Sequence, residues 1–199
     1  MEIESRLPAW QVAGLGTIAF VVLLWVLEAV DAAMGHDLDQ YGIQPRSDEG
    51  LLGILFAPVL HGGWSHLEGN TGPVLVLLFV TLATGLARGL LATAVIWVVG
   101  GLGVWLVAGS NSVHLGASGL VFGWIVYLGV RGIVNKEPWE ILVGVVVLIV
   151  YGTVLLGVLP GQPGVSWQGH LFGAIGGAVA AAVLSNDRLA GARRVLGRR

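Results

Sequence analysis

Ser118 and His170 are the residues of this chain whose types fit covalent acyl chemistry. A serine hydroxyl is a poor nucleophile until a base removes its proton, and an imidazole can do so near neutral pH. Ser118 stands in Gly116-Ala-Ser-Gly119, where two glycines allow close backbone approach. His170 stands in Gly169-His-Leu-Phe-Gly173. His66 and Asn70 are spaced i, i+4 and share one helical face. An Asn amide and a His ring N–H can each donate to an oxyanion, and the Ser118 backbone N–H adds a further donor. No carboxylate is spaced to complete a triad. Glu68 is two residues from both His66 and Asn70 and faces away from them; Glu28 lies on the first span and Asp187 near the inner end of the sixth, far from His170 at its outer end. A Ser–His dyad is the expectation.

Each piece has a plainer reading. In a chain with 32 glycines, a G-x-S-G string is close to background. A lone membrane histidine more often packs or hydrogen-bonds than acts as a base. Gly169, Gly173 and Gly177 have the spacing of ordinary helix packing, and Trp10 and Trp167 read as interfacial anchors. The chemistry becomes specific only if these residues meet at one depth, which depends on the elements that carry them.

Those elements are membrane spans. Only 11% of the 199 residues are charged, 55% are hydrophobic and none is cysteine; a soluble domain is about a quarter charged. Mean hydropathy is +0.84. This composition excludes a disordered chain, a disulfide scaffold, a Cys-ligated metal site and a basic nucleic-acid-binding face. Charge-free runs cover Leu7–Leu27, Gly69–Ala87, Gly89–Val130 and Ile141–Asn186. At about 20 residues per span they make six, the two long runs each holding two spans and a turn. The turns fall at 108–114 and at Pro160-Gly-Gln-Pro-Gly164. Helices are expected at 10–32, 66–87, 90–108, 117–134, 138–158 and 168–186. The start lacks a basic n-region and a cleavage site, so the first span reads as retained rather than as a signal peptide.

With six spans both termini share a side. That side carries Arg6, Arg88, Arg131, Lys136, Arg188, Arg193, Arg194, Arg198 and Arg199, against Arg46 alone on the other. Both termini are therefore expected in the cytoplasm. Even-numbered spans then run inward, and His66/Asn70, Ser118 and His170 all sit at their outer, N-terminal ends. Three helix N-termini direct free N–H groups and partial positive charge into one layer, which favours a developing anion. The first loop, about 33–65, is long, acidic and contains the apolar Gly50–Leu60, too short to span; it is expected in the interface or re-entering against protein. His61 reads as structuring the loop–helix junction, and His36 and His114 as solvated loop residues.

Taken in order, these motifs resemble the rhomboid intramembrane serine proteases. His61-Gly-Gly-Trp-Ser-His66-Leu-Glu-Gly-Asn70 resembles the family's H-x4-H-x3-N segment, Gly116–Gly119 its nucleophile G-x-S-G, and Gly169–Gly173 its G-H-x-x-G. Tyr41-Gly-Ile-Gln-Pro-Arg46 resembles a common first-loop sequence. The resemblance covers about 10–186 and implies an all-α, six-helix bundle: one membrane domain over 1–199 of minimal prokaryotic type, with a membrane-associated first loop and a basic tail. It implies an endopeptidase cutting transmembrane or membrane-proximal segments without metal, ATP or other cofactor. Ser118 would be the nucleophile and His170 the base, with His66, Asn70 and the Ser118 N–H as the oxyanion hole. Gly116, Gly119 and His61 would support them. Phe122 stands where some members have a tyrosine stacked on the catalytic histidine; a ring can still hold the imidazole by packing, without the hydroxyl.

The partners implied are transmembrane protein substrates and lipids, with no nucleic acid; the sequence leaves the oligomeric state open. Competing readings are an inactive client-binding relative, disfavoured because both Ser118 and His170 are present, and a small transporter using Glu28 and Asp31, against which stands the lack of an inverted repeat. A metalloprotease lacks any H-E-x-x-H or cysteine to build on.

Overall fold

The computed structural model describes residues 7–185. Among the described residues seven α-helices follow one another: α1 (Ala9–Ala33), α2 (Asp48–Phe56), α3 (Trp64–Ala83), α4 (Leu86–Val107), α5 (Ser118–Asn135), α6 (Pro138–Tyr151) and α7 (Trp167–Val183). Among the described residues the only β-type pairing is an isolated bridge between Ile43 and His114. α1, α3, α4, α5 and the segment Pro138–Val158 are long and apolar enough to cross a membrane. α7, at 17 residues, is at the short end of that range. The protein is thus an all-helical, multi-pass membrane bundle. Exposed apolar side chains such as Ile149, Trp139 and Leu52 face outward, as a lipid solvent requires.

Helix boundaries follow local chemistry. Ser47 caps α2 by accepting the Gly50 N–H at 2.9 Å, and Ser166 caps α7 by accepting the Gly169 N–H at 3.1 Å. α5 ends on Lys136 in a left-handed conformation, and Pro138 opens α6 at its first turn. Two expectations are corrected. The fifth span is not one α-helix over 138–158: it tightens into a 3₁₀ helix at Gly152–Val158, which brings the Gly157 carbonyl to His170. The last helix ends at Val183 rather than 186. Asp187 and the arginines at 6, 188, 193, 194, 198 and 199 lie outside the described residues.

α5 is the centre: 61% of its apolar stretch is buried, against 11% for Pro138–Val158. Leu120, Trp124, Ile125 and Leu128 on α5 pack with Leu24, Leu67, Leu77 and Ala180 in one core. α7 lies directly against α5. A Cβ on Gly173 would stand 2.1 Å from Gly119 O, and one on Gly177 the same distance from Gly123 O, so only glycine permits this backbone approach. At the other end of α5, buried Arg131 is hydrogen-bonded to Glu140 and Thr84, and Asn135 donates to Glu140 at 2.7 Å.

The first loop is stitched down rather than free. Arg46 donates to Leu106 O at 3.0 Å and to Ser110 Oγ at 2.6 Å. Trp97 and Trp105 on α4 donate their indole N–H to Ile54 O and Ser47 O at 2.7 and 2.9 Å. The Ala57 carbonyl accepts the Gly116 N–H at 2.8 Å, so the loop also holds the segment entering Ser118.

Candidate active site

Ser118 is the first residue of α5, and His170 lies in the first turn of α7. The α5–α7 contact brings His170 Nε2 to 3.0 Å from Ser118 Oγ. The other ring nitrogen, Nδ1, lies 2.9 Å from the Gly157 carbonyl oxygen. A carbonyl can only accept, so Nδ1 carries the proton in the neutral ring. Nε2 is then the lone-pair nitrogen, and the Ser118 hydroxyl donates to it. That is the tautomer a base needs. Phe122 stacks on the imidazole with centroids 3.9 Å apart and planes within 8°. Backbone carbonyl and phenyl ring together fix the imidazole, a position a triad would secure with a carboxylate. Glu68 is exposed.

His66 and Asn70 occupy the first two turns of α3 and open onto the same cavity of about 790 Å³ as Ser118 and His170. His66 Nδ1 accepts the Gly62 N–H at 3.4 Å, which leaves Nε2–H as the free donor of that ring. Asn70 Nδ2 donates one hydrogen to His66 O at 3.0 Å and keeps its second. Ser118, at N1 of its helix, has a backbone N–H without an intrahelical acceptor. Gly116, at φ 113°, presses against His66: a Cβ there would meet His66 Nε2 at 2.7 Å. Gly119 faces Gly169, where a Cβ would lie 3.3 Å from the carbonyl oxygen.

His61 is buried, stacks edge-on to His66 with centroids 5.1 Å apart, and accepts the Ala117 N–H at 3.4 Å. It bridges the loop before α3 to the residue preceding Ser118. Burial, and His66 beside it, lower its pKa to about 4, so it is a neutral acceptor.

His114 departs from the expectation of a solvated loop residue. It is half-buried and lines the cavity. Its Nε2 lies 2.8 Å from Ser112 Oγ and its Nδ1 2.7 Å from Ser166 Oγ. Ser112 spends its own proton on Gly109 O at 2.6 Å, so it must accept from His114 Nε2–H. Nδ1 then accepts from the Ser166 hydroxyl, which in turn accepts the Gly169 N–H. This directional chain ties the loop before Ser118 to the cap of the helix carrying His170. Burial lowers the His114 pKa, in keeping with the neutral ring the chain requires. Sequence reading missed His114, Ser166 and Gly157. Ser166 carried a signal, a serine at a helix start three residues before Gly169. Gly157 acts through its carbonyl and carried none.

With this geometry in hand, the comparisons with known proteins decide the family. A rhomboid domain is matched over residues 48–187. The chain belongs to the rhomboid family. This rhomboid is 49% identical over 189 residues to uncharacterized proteins of Mycobacterium tuberculosis and Mycobacterium bovis, covering 91% of this chain and 79% of each relative. An uncharacterized protein of Mycobacterium leprae is 46% identical over 189 residues, covering 91% and 75%. No solved structure matches it.

Proposed function

We propose that this rhomboid is an intramembrane serine endopeptidase working through a Ser118–His170 dyad. The observation that carries the reading is the 3.0 Å contact between Ser118 Oγ and His170 Nε2, with Nδ1 occupied by a backbone carbonyl. Ser118 Oγ attacks the scissile carbonyl carbon as His170 Nε2 takes its proton. Gly157 O steadies the imidazolium through Nδ1–H. The carbonyl oxygen, now anionic, is met by the Ser118 N–H, the second Asn70 amide hydrogen and His66 Nε2–H, at the positive end of α5. His170 passes its proton to the leaving amine, and the C–N bond breaks to leave an acyl-Ser118 ester. Water, deprotonated by His170, hydrolyses that ester and restores the serine. Every proton has a donor and an acceptor among these side chains and one water, so the route uses no metal or cofactor.

The substrates on this reading are membrane proteins whose transmembrane or membrane-proximal segment unwinds into the cavity beside α3. The cavity opens at the end of the bundle opposite Arg88, Arg131 and Lys136. By the distribution of basic residues, this makes the site outward-facing and both termini cytoplasmic. The test is purified protein reconstituted with a panel of single-span substrates, unsubstituted against Ser118→Ala, alongside labelling by a fluorophosphonate. Cleavage and labelling are expected only with Ser118 present; equal labelling of both proteins overturns the assignment.

A further inference from the structure

A second group of titratable side chains gathers at the C-terminal end of α1, apart from the Ser118–His170 pair. Asp31, His36 and Asp39 each bring one ligand atom within 4.8 Å of the other two. Asp31 Oδ1 accepts the Leu38 N–H at 2.7 Å, and its Oδ2 lies 3.3 Å from His36 Nδ1. The turn between them is closed by the His36 N–H donating to Asp31 O at 2.9 Å. Glu28 lies behind this set, one turn earlier on the same face of α1. It is 2% exposed, and both its carboxylate oxygens are buried without a hydrogen-bond partner. The charged groups acting on it are Asp31, His36 and Asp39, and the nearby backbone donor is the Gly63 N–H. Asp39 Oδ1 is likewise buried and unpartnered.

Two carboxylates and one imidazole therefore converge, with the Glu28 carboxylate close behind them. Among the described residues no Lys or Arg forms an ion pair with any of them. Buried carboxylates without partners are costly, and crowding three together raises the cost further. A cation among them removes both penalties. Two ligand atoms on one ion at about 2.3–2.6 Å can be no more than about 5 Å apart, and the atoms of Asp31, His36 and Asp39 fit inside that.

We propose that Asp31, His36 and Asp39 form a divalent-cation site, with the buried Glu28 carboxylate behind them as an outer-shell acid. Carboxylates suit Ca²⁺, Mg²⁺ and Mn²⁺, and the imidazole shifts the preference toward Mn²⁺. His36 is exposed, which gives the ion an aqueous entry; the buried acids lie behind it. Asp39 also lines the cavity that holds Ser118, so an ion here would fix the rim of that cavity to α1. The cation takes no part in the Ser–His chemistry, and the inference does not rest on the peptidase reading.

The test uses full-length Ser118→Ala protein in detergent, stripped with EDTA and titrated with Mn²⁺ by electron paramagnetic resonance, with Tm measured in parallel. One saturable Mn²⁺ per chain is expected, displaced by excess Ca²⁺, with Tm rising on binding. Glu28→Gln and Asp39→Asn should each weaken binding by at least the ~10–100-fold typical of losing even an outer-shell partner. His36→Ala alters an exposed residue and keeps the test decisive if a buried substitution fails to fold; it too should weaken binding. Absence of saturable binding overturns the proposal, as does affinity unchanged in His36→Ala and Glu28→Gln. A Tm that rises on acidification with no dependence on Mn²⁺ also overturns it, because the acids then share protons instead of an ion.

Discussion

Replacing Gly173 by alanine puts a methyl group where α7 touches α5. The new Cβ would stand 2.1 Å from Gly119 O and 2.8 Å from its carbonyl carbon. Carbon and carbonyl oxygen normally come no closer than about 3.3 Å, so the helices must separate by about 1 Å there. The obstacle is backbone, so no rotamer change relieves it. Ser118 precedes Gly119, and His170 lies one turn before Gly173, so the displacement falls on the 3.0 Å bond between Ser118 Oγ and His170 Nε2. Stretched to about 4 Å, that contact is no longer a hydrogen bond. General-base assistance is worth about 10²–10⁴ in rate, and a 1 Å misplacement alone about 10². Gly173→Ala should therefore lower kcat by about 10²–10⁴, roughly 3–5 kcal/mol of barrier. Overpacking should cost a further ~1–3 kcal/mol of stability. The assay is turnover of a single-span reporter per folded molecule, with Tm in the same detergent. Gly72→Ala on α3 is the control, since nothing lies within 4 Å of its Cβ. Gly173→Ala turning over like the unsubstituted protein would refute the claim that this helix contact sets the dyad distance.

Asn70→Ala should lose about 10²–10³ in kcat with KM little changed, as for one oxyanion donor removed; a large fall in Tm with kcat kept would assign Asn70 to helix packing instead. His61 binds its proton near 6.5 when unfolded and only at about 4 in the folded chain, so the unfolded state holds more protons between those values. Stability is then full above pH 6.5 and declines toward pH 4, by on the order of 3 kcal/mol in all. Tm against pH should show this decline, and His61→Asn should flatten it; an unchanged slope assigns the acid sensitivity elsewhere. The chain has no cysteine, so single cysteines report topology directly. A membrane-impermeant maleimide should label Asn111→Cys in intact cells and Lys136→Cys only after permeabilisation; the opposite pattern reverses the orientation.

Much of the protein is legible without coordinates because lipid is a severe solvent. Uninterrupted apolar runs have few readings, so the helical bundle and four of its five long spans follow from the charge-free stretches. Gly152–Val158 is the exception: its apolar content announces a span, but whether a helix stays α or tightens to 3₁₀ depends on what its carbonyls can reach. Ser118, His170, His66 and Asn70 are also legible, because polar groups at the start of an apolar segment have few structural excuses. Their i, i+4 spacing, or their place at a helix start, describes local geometry that a sequence encodes directly.

Contacts between segments far apart in the chain were decided only by tertiary structure. The Gly157 carbonyl, which sets the His170 tautomer, is a backbone atom with no residue type to betray it. His114 reads as a solvated loop histidine until the first loop and the cap of α7 close around it, with Ile43 exchanging both backbone hydrogen bonds with it and the Ser166 hydroxyl donating to its ring. Gly173 reads as generic helix packing until its partner proves to be the residue after the candidate nucleophile. Glu28 and Asp39 are eleven residues apart and acquire a common environment only when the turn at Gly35-His36 reverses the chain. The physical reason is the same in each case. Burial in lipid and helical periodicity act over one segment, whereas hydrogen-bond direction, ring stacking and charge convergence depend on distances that only the packed bundle defines.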